Sequence, residues 1–275
     1  MYMIPAYAVC NVYAAPLRAS ATHRAEQTSQ LIFGECVEVL EKSDRGWSRV
    51  KCAWDNYEGW CSTSQLHPID RSSYRKGARF LAVGPSDKLI SEEAGEMPLP
   101  FGAGLWGYKS GAIATGPAQG AFKGKKAAVS NLSLTPAAVI AAAQTYRNAP
   151  YLWGGRTRAG IDCSGLIQMA FKLGGLATPR DAWQQAEAGQ PVDFLQNARP
   201  ADVAFFDNDE GRIVHVGLLL DSDTILHATE TAGRTVVDKI DGEGIVSILL
   251  RKRTHRLRLI RRYIPEHAAA SGLVL

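Results

Sequence analysis

Apolar residues alternate with polar ones in short runs over the first part of the chain. The runs QLIFGECVEVLEK, WSRVKCAW and YEGWCS show this alternation, and turn residues such as Gly46 and Asp55-Asn56 separate them. Short alternating strands joined by such turns predict a small antiparallel β-barrel over residues 1–67. Four aromatic residues are expected to lie mostly in its core: Trp47, Trp54, Tyr57 and Trp60. Residues 77–130 continue in the same style with more glycine, which predicts a second, divergent barrel in a domain of residues 68–130.

The pattern changes at residue 135, where apolar residues begin to recur at three- and four-residue steps. Thr135-Pro136 is a typical helix start, and this helix is expected to reach Ala149-Pro150. A second helix is predicted from Cys163 to Leu173, and a shorter one follows Asp181.

From residue 201 onward the chain has the pattern of strands, in DVAFF, IVHVGLLL, TILHAT and RTVVDKI, with a late strand around 256–263. Helices followed by an antiparallel sheet predict an α+β domain, which we place at residues 131–275.

Composition is that of a globular protein, since 46% of the 275 residues are apolar and 21% are charged. The five cysteines form no CxxC pair and have no zinc-ligand spacing with histidine. Free thiols in a reducing compartment are the simplest interpretation, although disulfides among Cys10, Cys36, Cys52 and Cys61 remain an alternative.

The net charge of +4 comes from one segment, residues 251–263, because the remaining chain has 24 basic and 27 acidic residues. Such a segment can bind phosphate or anionic lipid, but apolar residues interrupt it, which favours a strand with solvated arginines. No nucleic-acid partner is expected.

No run reaches the 18–20 or so apolar residues that a membrane helix needs. The apolar stretch near the start contains Pro5, Asn11 and Pro16 and lacks a basic segment before it. We therefore expect no membrane span and a cytoplasmic protein, with export left open.

Candidate chemistry centres on Cys163, His215 and His227. Cys163 lies in the sequence GIDCSG at a predicted helix N-terminus, where partial positive charge favours a thiolate and free N–H groups can hold an oxyanion. His215 would take the thiol proton and His227 would orient His215. If residues 221–223 form a three-residue turn, the two histidines share one face of a hairpin as diagonal neighbours, with Gly217 leaving them room.

The runs YLWGGRTRAGIDCSGLIQMAF, PRDAWQQAEAGQPV, ARPADVAFFD and HVGLLLDSDTILHAT resemble, in order and spacing, the NlpC/P60 cysteine peptidase family over roughly residues 135–265. One departure is Pro200-Ala201-Asp202, where the family usually has Pro-Gly-Asp. The resemblance implies a papain-like α+β fold and hydrolysis of bacterial cell-wall peptides.

The N-terminal segment GWSRVKCAWDNYEGW is similar to bacterial SH3-type domains, and residues 68–130 would fit a second, divergent copy. Two such barrels before an NlpC/P60 domain resemble the γ-D-glutamyl-L-diamino acid endopeptidases of murein recycling. That similarity implies cleavage of L-Ala-γ-D-Glu-diamino acid peptides, of the diaminopimelate or Lys type, that have a free N-terminus.

The resemblance also implies residues that bind substrate. Asp162 would bind the substrate amine with Tyr151 and Ser164 nearby, and Trp153 would wall the pocket. Glu58 and Tyr57 of the first barrel would contact substrate. Packing is the alternative for Tyr151 and Trp153, and a solvated turn with a core aromatic is the alternative for Glu58 and Tyr57. Arg180 would bind a substrate carboxylate or pair with Asp181 or another acid.

No metal or organic cofactor is implied. Three other functions stay open: an exported peptidoglycan hydrolase whose SH3-type domains bind the wall, an inactive peptide-binding protein, and an acyl transferase. Cleavage of peptides with a blocked N-terminus would favour the exported hydrolase.

Overall fold

A computed structural model of the chain describes residues 7–93, 95–115 and 118–265. Two compact units make up the chain, Met1–Leu132 and Ser133–Leu275. The outermost parts of the predicted domains, residues 1–6 and 266–275, lie outside the described residues.

An antiparallel sheet of seven strands opens the first unit. Its strands are β1 (Tyr7–Cys10), β2 (Ala14–Arg18), β3 (Gln27–Ile32), β4 (Cys36–Lys42), β5 (Trp47–Cys52), β6 (Glu58–Ser62) and β7 (Leu66–Ile69). They lie in the order β3-β2-β6-β5-β4-β1-β7. Alternate residues such as Val37, Val39 and Val50 form the apolar core that the pattern predicts.

Three of the four aromatic residues expected in this core are only half-buried. Trp47 is buried, but Trp54 and Trp60 are half-buried. Trp60 lies between buried Gly59 and Cys61 on β6, so the two-residue period of a strand turns its side chain to the outer face. Tyr57 is also half-buried and packs against the core from outside.

The rest of the first unit holds one short helix and two small sheets. The elements are α1 (Arg71–Lys76), β8 (Phe80–Ala82), β9 (Lys88–Ser91), β10 (Gly95–Pro98), β11 (Ala112–Thr115), β12 (Ala118–Lys123) and β13 (Lys126–Ala128). β10-β9-β12-β11 form one sheet and β13-β8 the other. Phe33, which follows β3, packs into the core of these sheets with Leu89, Leu105 and Phe122. The two parts of the first unit therefore share packed side chains.

Three helices of the second unit begin where the sequence predicts. They are α2 (Pro136–Gln144), α3 (Cys163–Leu173) and α4 (Ala182–Glu187). The Thr135 hydroxyl accepts the Ala138 N–H at the start of α2, at 3.3 Å. α2 ends earlier than expected, because turns replace the helix after Gln144 and Asn148 takes a left-handed conformation.

The described part of the second unit has nine strands. They are β14 (Arg156–Thr157), β15 (Gly160–Ile161), β16 (Gln190–Val192), β17 (Val203–Asp207), β18 (Ile213–Leu219), β19 (Thr224–Thr229), β20 (Arg234–Asp241), β21 (Gly244–Ser247) and β22 (Lys252–Arg262). The last six of them close into a barrel. The sequence β22-β17-β18-β19-β20-β21 returns to β22, so six antiparallel strands form a ring. The predicted antiparallel sheet is confirmed, but its closure and the short strand β21 were not predicted.

The basic segment is the strand that the alternation predicts. Its arginines pair with acids at short range: Arg253 with Asp241 at 2.6 Å, Arg256 with Asp207 at 2.8 Å and Arg262 with Asp202 at 2.8 Å. Neighbouring carboxylates therefore balance much of its positive charge.

All five cysteines are buried free thiols. Among the helices in the described ranges, none has the length and apolar character to cross a membrane.

Candidate active site

Cys163 is the first residue of α3 and is 6% exposed. The helix begins here because Asp162 is its N-cap: one carboxylate oxygen accepts the Gly165 N–H at 2.7 Å. On the other side of the thiol, the backbone N–H of Val216 donates to the Cys163 sulfur. The thiol therefore lies against β18, at the residue that follows His215.

Burial and, to a smaller extent, the charge of Asp162 raise the pKa of the Cys163 thiol to about 12. The Val216 N–H, the charge of Arg180 and the Ser164 N–H act in the opposite direction. Burial therefore outweighs the lowering of the thiol pKa that the helix N-terminus was expected to give, and Cys163 is a neutral thiol at rest. A nucleophile at this position requires a base that removes its proton.

Such a base lies on the hairpin of β18 and β19. Leu218 is paired with Leu226, so Gly217 lies opposite His227, as the three-residue turn predicts. Nε2 of His215 and Nδ1 of His227 are 2.9 Å apart. A side chain at Gly217 would contact Ile225 at 2.6 Å and the Cβ of His227 at 3.0 Å, so the glycine leaves room for this pair.

His215 is buried and neutral. Burial lowers its pKa well below the usual value, and the neighbouring His255 and His227 lower it further. A neutral imidazole has a free lone pair and can accept a proton. His215 is therefore a base, and it is adjacent in the chain to Val216, whose N–H contacts the Cys163 thiol.

Two polar side chains at this site were not predicted. His255 on β22 stacks on His215 with ring centroids 4.1 Å apart, and Asp238 on β20 lies 3.2 Å from Nε2 of His227. Asp238 shares the buried face of its strand with Ile240, so an acid at a core position of RTVVDKI was the available signal. His255 gave no such signal, since the pairing of β22 with β17, which in turn pairs with β18, brings it here.

Ligand atoms of His215, His227 and His255 lie within 4.8 Å of one another, a spacing that a metal ion can use. Their orientation is less suitable. The rings of His215 and His255 are nearly parallel, with 23° between planes, so their in-plane lone pairs do not converge. The ring nitrogens of His215 and His227 already bond each other. This geometry fits a hydrogen-bonded relay better than a metal centre.

Asp162 also belongs to a buried ion pair. One Nη of Arg180 lies 2.6 Å from its carboxylate, and both side chains are almost fully buried. The other Nη of Arg180 donates to the Ser164 hydroxyl at 2.7 Å, and the Gly154 N–H donates to Asp162 at 2.8 Å. Of the partners expected for Arg180, the structure shows an acid, and that acid is Asp162.

Tyr151 and Trp153 lie on the loop before β14. Burial raises the pKa of Tyr151, and the acids Asp162 and Glu230 act in the same direction, so its hydroxyl stays protonated. Trp153 is 57% exposed in a tight turn that the Gly155 N–H closes on the Leu152 carbonyl at 2.9 Å.

Glu58 and Tyr57 belong to the first unit. Glu58 is exposed and pairs with Arg49 at 2.7 Å. Their expected contact with substrate stays a prediction.

Comparison with known proteins identifies the chain's relatives. The NlpC/P60 family matches residues 148–254, and the "Bacterial dipeptidyl-peptidase Sh3 domain" matches residues 17–66. Gamma-D-glutamyl-L-lysine dipeptidyl-peptidase of Bacillus subtilis (strain 168) is 32% identical over 219 residues, which cover 74% of this chain and 72% of the relative. Dipeptidyl-peptidase 6 of Lysinibacillus sphaericus is 26% identical over 258 residues, covering 85% and 89%.

Among solved structures, an NlpC/P60 family protein from Bacillus cereus ATCC 10987 has the same fold. Its TM-score is 0.77 at 19% identity, with 94% of this chain and all of the other covered. The fold and the cysteine with its paired histidines thus define an α+β, papain-like domain preceded by an SH3-like domain. The chain belongs to the NlpC/P60 family. Its relatives carry the names of peptidases, which supports the expected hydrolase.

Proposed function

We propose that this protein is a cysteine endopeptidase of cell-wall peptide recycling. It hydrolyses the bond between D-Glu and the diamino acid in L-Ala-γ-D-Glu-diamino acid peptides with a free N-terminus. The observation that carries the proposal is the His215–His227 hydrogen bond of 2.9 Å. The residue after His215 is Val216, whose backbone N–H contacts the Cys163 thiol. The names of the two relatives that match most of the chain support the substrate class.

In the first half of the reaction, His215 removes the proton from Cys163 and the sulfur attacks the γ-carbonyl carbon of D-Glu. The carbonyl oxygen becomes an oxyanion, and the backbone N–H of Cys163 in the first turn of α3 is a suitable donor to it. Protonated His215 then gives its proton to the amine of the diamino acid as the C–N bond breaks. The products of this half are a thioester on Cys163 and the free diamino acid.

In the second half, neutral His215 takes a proton from water and the resulting hydroxide attacks the thioester. The C–S bond breaks, the thiol regains its proton from His215, and L-Ala-D-Glu leaves as a free acid. His227 holds the ring of His215 in the same orientation through both halves.

Recognition of a free amine would use the groups around Asp162. The Asp162–Arg180 pair has no net charge, so Asp162 contributes hydrogen-bond acceptors more than attraction for an ammonium ion. The protonated Tyr151 hydroxyl and exposed Trp153 complete a polar and aromatic surface at the same loop. We therefore propose Asp162, Ser164, Tyr151 and Trp153 as the substrate-binding group.

The test uses four peptides and two proteins. L-Ala-γ-D-Glu-diaminopimelate and L-Ala-γ-D-Glu-L-Lys, each free and N-acetylated, are incubated with the wild type and with Cys163→Ala. Release of the diamino acid is followed by mass spectrometry. We expect cleavage of free peptides only, and a loss of at least about 10³-fold in Cys163→Ala.

Two outcomes would contradict the proposal. Equal cleavage of acetylated peptides would indicate a wall hydrolase without an amine requirement. No cleavage of any peptide by the folded wild type would exclude this substrate class.

A further inference from the structure

Asp238 is a carboxylate buried next to the histidine pair. It is 3% exposed and lies on β20, which pairs with β19 from Arg234 to Lys239. One of its oxygens is 3.2 Å from Nε2 of His227, and the other accepts the backbone N–H of Ile248 at 2.8 Å. Both oxygens of Asp238 thus have donors, and one of the donors is the backbone.

These contacts determine which ring nitrogens carry hydrogen. An ionised carboxylate only accepts hydrogen bonds, so Nε2 of His227 must donate to Asp238. Burial opposes the ionised form, but the hydrogen bonds from His227 and the Ile248 N–H outweigh it and lower the pKa of Asp238. A His227 ring that carries its hydrogen on Nε2 has a lone pair on Nδ1, and this lone pair accepts from Nε2 of His215. Nδ1 of neutral His215 is consequently the nitrogen left with a free lone pair.

We propose that Asp238 is a positioning residue that sets the tautomers of both His227 and His215, so that His215 presents Nδ1 as the base. This proposal rests on the function proposed for Cys163 and His215. Asp238 acts only through His227. A carboxylate that orients a catalytic histidine from behind is a known arrangement in hydrolases, and here an extra imidazole lies between the carboxylate and the base.

The variant Asp238→Asn tests this because the backbone fixes the orientation of the new amide. The Ile248 N–H needs an acceptor, so the amide oxygen takes that position and the NH₂ group faces His227. Nε2 of His227 must then accept, and the hydrogen moves to Nδ1. His227 donates to Nε2 of His215, which leaves the hydrogen of His215 on Nδ1 and removes the base.

The matched control is Asp202→Asn. Asp202 is also a buried carboxylate of the second unit, 2% exposed, but it bonds Arg262 at 2.8 Å and the Arg199 N–H. The Asp202→Asn substitution removes a buried charge and leaves the hydrogen bonds of the histidines unchanged. We expect kcat of Asp238→Asn to fall by about 10²- to 10⁴-fold with little change in KM, and Asp202→Asn to keep the wild-type kcat.

A second measurement does not depend on activity. Ring-nitrogen NMR of histidine-labelled protein reports which nitrogen carries hydrogen, with His227 assigned by His227→Asn. We expect His227 to be protonated on Nε2 in the wild type and on Nδ1 in Asp238→Asn. Hydrogen on Nδ1 of His227 in the wild type would overturn the proposal even if Asp238→Asn did not fold.

The proposal would also be overturned by an unchanged His227 tautomer in Asp238→Asn, or by a loss of kcat no greater than that of Asp202→Asn. If the wild type cleaves none of the peptides, the proposed function fails. The tautomer of His227 still decides the role of Asp238 in that case.

Discussion

Asp162 illustrates how one residue at the start of a helix serves several partners. It caps α3, holds the Gly154 N–H of the preceding loop and pairs with Arg180 at 2.6 Å. Through Arg180 it also fixes the Ser164 hydroxyl. The residues flanking the nucleophile are therefore positioned by one buried charge, and the helix start that carries Cys163 depends on it.

The substitution Arg180→Met would leave that charge without its cationic partner. We expect the second unit to lose about 3–5 kcal/mol, because an unpaired buried carboxylate is costly. Hydrogen exchange of α3 amides in increasing urea measures the loss. The control is Arg253→Met, which breaks a solvent-screened pair with Asp241 and should change stability little. An equal loss of stability from the two substitutions would show that burial does not make the Asp162–Arg180 pair more stabilising than an exposed pair.

At the scale of elements, the hairpin of β18 and β19 is the unit that makes the histidine pair. Its register follows from a three-residue turn, and a strand repeats every two residues, so a shift by one residue would place His215 and His227 on opposite faces. The backbones must also approach closely, and Gly217 permits this.

We expect Gly217→Ala to disturb the hairpin. The added methyl group would lie 2.6 Å from Ile225 and 3.0 Å from the Cβ of His227, so the strands must separate. This should destabilise the second unit by about 1–3 kcal/mol and lower kcat. Urea unfolding and peptide cleavage measure the two effects. Gly242→Ala is the control, because nothing lies within 4 Å of a methyl group there. Wild-type kcat in Gly217→Ala would show that the pair tolerates wider spacing.

At the scale of the whole molecule, closure of the barrel brings distant strands to one site. The pairing of β21 with β22 places His255 opposite Ile245, and its ring reaches His215, 40 positions earlier in the sequence. Three imidazoles then share a buried region that also contains Phe206. Burial there disfavours the charged forms of His215 and His255.

Acid should therefore destabilise the second unit. Burial, followed by His227, lowers the pKa of His255 to about 4 from 6.5, and the pKa of His215 is lowered as well. The unfolded chain binds protons below about pH 6.5 and the folded chain does not, so stability is complete above that pH and falls toward pH 4. Each group contributes up to about 1.4 kcal/mol per pH unit in this window.

Hydrogen exchange of residues 203–262 at several pH values measures this loss. His255→Phe keeps an aromatic ring on His215 but removes one titrating group, so we expect a shallower dependence on pH. A dependence as steep as that of the wild type would show that His255 does not contribute to it.

Local signals in the sequence determined where helices begin, which face the two histidines share and which residue is the candidate nucleophile. Thr135-Pro136 and Asp162 begin helices because a hydroxyl or carboxylate accepts N–H groups that the helix leaves free. The turn after β18 set the face shared by His215 and His227. The motif around Cys163 identified the nucleophile candidate, and the family followed from it.

Only the tertiary structure decided which groups surround those residues. The pairing of β17 with β22, the approach of Asp238 to His227, and the pairing of Asp162 with Arg180 all join residues that are 11 or more positions apart in the sequence. No local period encodes such contacts. The resting charge of Cys163 was decided in the same way, because burial, which depends on the whole fold, outweighs the helix N-terminus that the sequence reveals.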